Sequence, residues 1–115
     1  MTGPIDLDRV ETPAAVVDRA RMQANARRVA DYCAQHGLRW RPHIKTHKSR
    51  RIARLHLECG ARGLTVATPH EAEVMSEVTD DLLLAYPPVG RTKLERLMAL
   101  PERMRLTVGL DSEAV

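Results

Sequence analysis

The 115-residue sequence predicts a parallel α/β fold, either a doubly wound sheet or part of a barrel. The main observation is an alternation of short apolar segments, which begin near residues 38, 64, 82 and 106, with segments of helical periodicity. A second observation concerns the turns after these strands. No dinucleotide-binding glycine motif and no P-loop motif follows any of them, which weakens the interpretation as a nucleotide-binding sheet.

The first elements are a short strand and a long helix. The segment TPAAVVD, residues 12–18, is apolar and β-branched near its end, and it predicts a strand. Residues 19–35 then change period, and Gly37 follows as a C-terminal cap. The apolar residues of this segment form one stripe of an amphipathic helix, at Met22, Ala26, Val29 and Cys33.

The segment LRWRPHIK, residues 38–45, predicts a strand with two unlike faces. One parity is apolar and consists of Leu38, Trp40, Pro42 and Ile44. The other parity is basic and consists of Arg39, Arg41, His43 and Lys45. The pattern fits an ordinary half-exposed strand, and it equally fits a strand that is covered outside by helices and lined inside by polar groups.

The rest of the sequence continues the alternation. Ser49 is a good N-cap for a helix, and TPHE, residues 68–71, is a capping box that begins another. The segments GLTVAT and DLLLAY predict strands on either side of that helix, and a helix over residues 92–100 precedes the strand segment RLTVGLD. The sequence ends at DSEAV, where a further helix would begin, so we expect an N-terminal fragment.

Composition narrows the function classes. Apolar residues make up 43% and charged residues 29%, which is typical of a soluble globular domain. Aromatic residues make up only 3%, so stacking platforms for single-stranded nucleic acid are largely absent. Neither a signal peptide nor an apolar segment of membrane-spanning length is apparent, which predicts a cytoplasmic location. Cys33 and Cys59 fit no disulfide framework and are interpreted as small buried apolar residues.

The basic segment RWRPHIKTHKSRR, residues 39–51, leaves three functions open. A nucleic-acid interface would need a basic stripe on an exposed helix or loop, and only one parity here shares a face. A metal site at His43 and His47 has helical spacing, but Pro42 argues against a helix there. Lys45 and its neighbouring cations would also repel a dication.

The third function is covalent catalysis by Lys45. A lysine that attacks a carbonyl group has to be neutral, and burial and neighbouring cations both favour the neutral amine. Lys45 shares its face with Arg41 and His43, and it lies at the carboxyl end of a predicted strand, where parallel α/β folds place their chemistry. An ordinary charged strand end is the alternative interpretation.

Four segments resemble one known family in its own order: TPAAVVD, RPHIKTHKS, GLTVATPHEAEV and LLLAYPPVG. They are similar to the opening of the D-threonine aldolase and D-serine dehydratase group, pyridoxal-phosphate enzymes related to the N-terminal barrel of alanine racemase. The resemblance covers residues 12–111. It implies a parallel (β/α)8 barrel of alanine racemase type, with about four of the eight strands in residues 19–115. Residues 1–18 would be a lead-in segment that joins a smaller β domain.

The resemblance also implies a site. Lys45 would form the internal aldimine with pyridoxal phosphate, and Arg41, His43 and Tyr86 would bind the cofactor. Thr68 would either line the same carboxyl end of the barrel strands or cap a helix. The implied activity is that of a lyase for β-hydroxy D-amino acids, similar to D-threonine aldolase. A D-serine dehydratase, an amino-acid racemase and a non-catalytic pyridoxal-phosphate-binding protein are the alternatives.

Further expectations follow from the resemblance. The segment SRR, residues 49–51, stands where relatives commonly carry a proline and an acidic residue, which alters a helix start. The family's divalent metal ligands lie beyond this chain, so no metal ligand is expected in it, and the 115 residues alone are expected to be inactive. The expected partner is a small D-amino acid, with neither nucleic acid nor membrane, and the full-length protein is expected to be a homodimer.

Overall fold

The computed structural model describes residues 5–113, which form a parallel three-stranded sheet packed against helices. The strands are β1 (Leu64–Val66), β2 (Asp81–Leu84) and β3 (Arg105–Val108). The helices are α1 (Arg19–Gln35), α2 (Arg50–Glu58), α3 (Pro69–Met75) and α4 (Arg91–Met98), and a 3-10 turn spans Leu7–Arg9. From β1 onward, strands and helices alternate as the sequence predicts.

The sheet order follows the chain, β1-β2-β3, and all pairs are parallel. Thr65, Leu83 and Thr107 lie in register across the three strands. His43 forms a parallel bridge to Thr65, which places the segment before α2 at the β1 edge of the sheet. Consecutive parallel strands with helical crossovers are the repeat of a β/α barrel, so the structure supports the predicted fold class.

Side-chain caps fix where three helices begin. Arg21 N–H donates to Asp18 Oδ1 at 2.9 Å at the start of α1, which spans the predicted residues 19–35. Ser49 Oγ accepts from the N–H of Ile52 in α2, and Thr68 Oγ1 accepts from the N–H of Glu71 in α3 at 3.1 Å. Thr68 is therefore a helix cap, one of its two predicted roles.

One face of the sheet and the inner faces of the helices form an aliphatic core. The largest fully buried side chains are Ile44, Leu64, Met75, Leu82, Leu84 and Val66. Burying each such side chain contributes roughly 1.5–3 kcal/mol. Ala53 and Ala72 let the helices approach the sheet closely, and both are completely buried. The core thus consists of aliphatic residues and methionine, as the aromatic-poor composition requires.

The strand predicted over residues 12–18 is wrong. Residues 14–18 are exposed and belong to no strand. Pro13 cannot donate a ladder hydrogen bond, and β-branched residues alone do not make a strand when no neighbouring strand pairs with them. The predicted division into residues 1–18 and 19–115 stays a prediction, and residues 1–4 lie outside the described part of the chain.

The strand predicted over residues 38–45 shrinks to a single bridge at His43. Thr65 N–H donates to the carbonyl of Pro42 at 2.8 Å, and Ile44 N–H donates to the carbonyl of Thr65 at 3.0 Å. Pro42 has no N–H of its own, so the ladder cannot extend toward the amino end. The predicted parity holds at Pro42 and Ile44, which are buried, and at the exposed Lys45, but it is wrong at Leu38, which is 57% exposed.

Two smaller predictions can be compared with the structure. Cys33 and Cys59 are free thiols, as predicted, but they are half-buried rather than fully buried. Within residues 5–113, the helices are all too short or too polar to cross a bilayer.

Candidate active site

Lys45 begins a tight turn at the carboxyl end of the first strand segment. The carbonyl of Ile44 accepts from the N–H groups of His47 at 3.1 Å and of Lys48 at 2.7 Å. Lys48 closes the turn in the left-handed region, with φ of 49°, a conformation that non-glycine residues rarely adopt and that clusters at functional sites. The turn leaves the Lys45 side chain exposed at the carboxyl end of the parallel strands, which is called the mouth below.

Small residues follow the other strands at the same end. Ala85 N–H donates to the carbonyl of Val66 at 3.0 Å, and Gly109 N–H donates to the carbonyl of Leu84 at 2.8 Å, so the ladder continues past the strands. It therefore brings Ala67, Ala85 and Gly109 side by side, each two residues beyond the Thr65 register, as Lys45 is beyond His43. None of these three residues carries a side chain larger than a methyl group, so the carboxyl end of β1, β2 and β3 is open.

His43 lies on the face of Lys45 and contacts its backbone. Its Nδ1 accepts from the Lys45 N–H at 3.3 Å, which places the ring proton on Nε2 in the neutral imidazole. Burial lowers the pKa of His43 below its ordinary value, and the Lys45 ammonium lowers it further. His43 is therefore a neutral imidazole near pH 7, with Nε2–H as its available donor.

Arg41 lies at the opposite, amino end of the strands. Its Nε donates to Asp81 Oδ1 at 2.7 Å and its Nη2 donates to Asp81 Oδ2 at 3.1 Å. Arg62 and Arg105 add weaker contacts to the same carboxylate, at 3.7 and 3.8 Å. The paired hydrogen bonds from Arg41 hold the pKa of Asp81 below its usual range. The Arg41 guanidinium is thus engaged away from Lys45, and its predicted cofactor role stays a prediction.

Tyr86 lies at the same end of the sheet as Lys45. It follows β2 by two residues and its side chain is largely exposed, at 72%. Within residues 5–113, its phenol group forms no hydrogen bond. The structure brings Lys45, His43 and Tyr86 to one end of the strands and leaves Arg41 at the other.

Sequence reasoning missed Glu71 and Asp81. Both carboxylates are buried, at 7% and 6% exposure, and both pair with residues of the basic segment. The capping box TPHE does point to Glu71, since it predicts that the Glu71 carboxylate accepts from the N–H of the cap residue Thr68. In the structure, Glu71 Oε2 accepts instead from the N–H of Ala67, one residue before the cap, at 2.7 Å. A single sequence holds no comparable signal for Asp81, since its partner Arg41 is 40 residues away.

His47, the second histidine of the metal hypothesis, points into the helical layer. Its Nδ1 accepts from the N–H of Ser49 at 3.0 Å, and its ring lies 5.6 Å from the ring of His56. Burial lowers the pKa of both imidazoles. Across residues 5–113, no group of three or more His, Cys, Asp or Glu side chains is arranged to hold a metal ion.

The fold and this site together define a parallel α/β barrel-type chain with a lysine at the carboxyl end of its first strand segment. Residues 17–114 match the alanine racemase, N-terminal domain family. The chain belongs to this family.

Two relatives with described activities are similar in sequence to this chain. The chain is 44% identical over 77 residues to D-threo-3-hydroxyaspartate dehydratase of Delftia sp. (strain HT23), covering 66% of this chain and 20% of the relative. It is 34% identical over 107 residues to D-threonine aldolase of Arthrobacter sp., covering 92% of this chain and 28% of the relative. The chain thus spans about a fifth to somewhat over a quarter of the length of these curated relatives.

Solved structures agree with the fold. D-threonine aldolase from Filomicrobium marinum superposes with a TM-score of 0.84 at 38% identity, over 90% of this chain and 28% of that one. A mutant of D-threo-3-hydroxyaspartate dehydratase in the metal-free form superposes with a TM-score of 0.82, also at 38% identity, over 92% of this chain and 28% of that one. The predicted alanine racemase-type barrel fold and the predicted family are confirmed.

Proposed function

We propose that the protein that carries this chain is a pyridoxal-phosphate-dependent lyase acting on β-hydroxy D-amino acids, and that Lys45 binds the cofactor. The observation that carries the proposal is the exposed Lys45 amine at the open, carboxyl end of the strands, where the small residues Ala67, Ala85 and Gly109 follow β1, β2 and β3. The relatives support it, since those reported above are a dehydratase and an aldolase whose names specify β-hydroxy D-amino acids.

The residues present fit an aldehyde cofactor. Condensation with an aldehyde needs a primary amine that is accessible and not held by a carboxylate. Among residues 5–113, every ion pair within 4.0 Å involves a group other than the Lys45 amine. A flat ring also needs room beside that amine, and the small residues after β1, β2 and β3 leave this room.

Each side chain has a proposed task. When bound, pyridoxal phosphate supplies an electron sink for the bond that breaks at the substrate Cα. The Lys45 amine holds the cofactor and, when free, can hold or move a proton. Neutral His43 offers Nε2–H as a hydrogen-bond donor, and the exposed Tyr86 phenol offers a donor at the rim. Arg41 would have to leave Asp81 to reach a ligand, so its observed task is to brace the amino end.

Two reactions share the proposed substrate class. Retro-aldol cleavage breaks the Cα–Cβ bond, and dehydration breaks the bond between Cβ and the hydroxyl oxygen. We propose the first as the main activity because the D-threonine aldolase relative aligns over 92% of this chain. Dehydration is the second candidate, because the relative with 44% identity is a dehydratase. A cytoplasmic location, a homodimer and the absence of nucleic-acid or membrane partners stay predictions.

The test uses the full reading frame that encodes this chain, as wild type and as Lys45→Ala, with Lys93→Ala as a control for loss of an exposed lysine on α4. Each protein is given pyridoxal phosphate and then D-threonine, D-serine or 3-hydroxy-D-aspartate. We expect Lys45→Ala to lose the visible absorbance of bound cofactor and at least about a thousandfold in kcat/KM, whereas Lys93→Ala keeps both.

Two outcomes contradict the proposal in different ways. Full absorbance and activity in Lys45→Ala would remove the lysine assignment. Cofactor binding by the wild type without turnover of any of the three amino acids would instead favour a non-catalytic pyridoxal-phosphate-binding protein.

A further inference from the structure

Glu71 is a buried carboxylate behind the Lys45 turn that the proposed mechanism does not use. It is the third residue of α3, and its side chain is 7% exposed. Its Oε2 accepts from the Ala67 N–H at 2.7 Å, and its Oε1 lies 3.5 Å from Lys48 Nζ. A buried carboxylate is costly without partners, and these two contacts offset that cost for Glu71.

The two partners of Glu71 flank the candidate site. Ala67 is the first residue after β1 at the mouth, and Lys48 ends the turn that begins at Lys45. Lys48 adopts the left-handed conformation that closes this turn. One carboxylate therefore ties the backbone beside the mouth to the residue that shapes the lysine turn.

Lys48 is a second primary amine that could react with the cofactor aldehyde in place of Lys45. It lies three residues from Lys45 and its side chain is 68% exposed, so solvent exposure alone does not prevent it from reacting with an aldehyde. The contact with Glu71 distinguishes the two lysines, because the carboxylate holds Lys48 Nζ at 3.5 Å and this amine has to leave its partner before it can attack an aldehyde carbon. Within residues 5–113, Lys45 has no such carboxylate partner.

We propose that Glu71 is a positioning residue that selects Lys45 over Lys48 as the cofactor lysine, by holding Lys48 and the backbone of Ala67. This inference rests on the proposed function. The linkage forms when a lysine Nζ attacks the aldehyde carbon and water leaves, and borohydride then delivers hydride to the C=N bond. The reduced adduct is stable, so it records which lysine was used.

The test compares the share of label on the two lysines in the full reading frame that encodes this chain. The variant Glu71→Gln retains an acceptor for the Ala67 N–H but loses the charge that holds Lys48. After reduction and peptide mass spectrometry, we expect the ratio of Lys48 to Lys45 label to rise at least about tenfold over wild type. The control Glu73→Gln removes a carboxylate from the same helix that pairs with Arg96 instead, and it should leave the ratio unchanged.

A second variant covers the case in which Glu71→Gln fails to fold. Lys48 is exposed, so Lys48→Met should fold, and because the turn loses its anchor we expect about tenfold weaker cofactor binding with all label on Lys45. A wild-type ratio in folded Glu71→Gln, or wild-type cofactor affinity in Lys48→Met, overturns the inference. Absence of label from wild-type Lys45 is a different result, since it overturns the proposed function itself.

Discussion

The two ends of the parallel strands differ in the side chains that lie there and in how closely these side chains are packed. At the amino end, Asp81 joins Arg41 through two hydrogen bonds, and Gly63 leaves room for this carboxylate. At the carboxyl end, Lys45 is exposed, and the small residues Ala85 and Gly109 follow β2 and β3 at the same end. The amino end is paired and closed, which serves stability, and the carboxyl end is open with a free amine, which serves chemistry.

A glycine-to-alanine substitution at each end of the strands should show the largest difference in stability between the two ends. A Cβ at Gly63 would overlap the Asp81 carbonyl oxygen, whereas a Cβ at Gly109 would lie 3.3 Å from the Ala85 carbonyl oxygen. We expect Gly63→Ala to lose about 3 kcal/mol of unfolding free energy by overpacking, and Gly109→Ala to lose less than about 1 kcal/mol. Denaturant unfolding measures both, and equal losses would contradict a difference in filling.

The next largest effect concerns the Asp81 carboxylate. Asp81→Asn should lose about 2 kcal/mol, because it weakens charged hydrogen bonds and leaves three arginines without their counter-charge. Asp80→Asn is the matched control, since its ion pair with Arg103 is exposed and should be worth less than about 1 kcal/mol.

The same carboxylate gives a pH dependence. The folded-state pKa of Asp81 lies below the ordinary value of 3.8, so its stabilisation is present above that value and is lost as pH falls through the folded-state pKa. Asp81→Asn should lack this acid-dependent loss. If the unfolding free energies of wild type and Asp81→Asn fall equally below pH 4, the Asp81 ion pair does not cause the loss of stability at acid pH.

A smaller effect tests the open end directly. Ala85→Leu replaces a methyl group by an isobutyl group at an exposed position at the same end of the strands as Lys45, so the fold should tolerate it. We expect cofactor affinity in the full reading frame to fall about tenfold, or about 1.4 kcal/mol, with an unchanged melting temperature. Ala99→Leu on the exposed end of α4 is the matched control, and equal affinities of the two variants would show that the mouth is not the cofactor site.

The smallest expected effect lies in the helical layer rather than at either end. His47 Nε2 and His56 Nδ1 are buried and, within residues 5–113, lack hydrogen-bond partners. Burial lowers both folded-state pKa values below 6.5, so the neutral pair stabilises the fold above pH 6.5 and this contribution is lost as pH falls through the lowered values.

A pH series of melting temperatures checks this effect. The wild type should lose stability between about pH 7 and pH 5, since ordinary histidine titrates in that range. The double variant His47→Gln, His56→Gln should lose less over the same range. His36→Gln is a control at an exposed position, and a slope that only His36→Gln removes would contradict the assignment.

Local patterns in the sequence were sufficient to predict most of the fold. Helix α1 spans the predicted residues because Asp18 caps it and its apolar stripe has helical period. The parity of residues 42–45 also predicts the buried Pro42 and Ile44 and the exposed Lys45, whereas Leu38 is exposed against the prediction. The family resemblance then added the barrel and the cofactor hypothesis, which local patterns do not contain.

One physical cause, the need for partners distant in sequence, explains the wrong strand over residues 12–18 and the missed roles of Asp81 and Glu71. The strand over residues 38–45 is instead shortened by a local cause. The strand over residues 12–18 has β-branched residues but no neighbouring strand, and the one over residues 38–45 is interrupted by the missing N–H of Pro42. Asp81 could not be found because its role depends on arginines brought together from three separate segments. Glu71 left a trace in its capping box, but its contact with Lys48 depends on the left-handed turn.

The central claim, that Lys45 binds the cofactor, is tested most directly by locating the cofactor on the wild-type protein. The sequence holds three lysines, Lys45, Lys48 and Lys93, so borohydride reduction in the presence of pyridoxal phosphate followed by peptide mapping has few outcomes. We expect the reduced adduct on Lys45, with at most a trace on the other two. Predominant label on Lys48 or Lys93, or no label on any of the three, would contradict it.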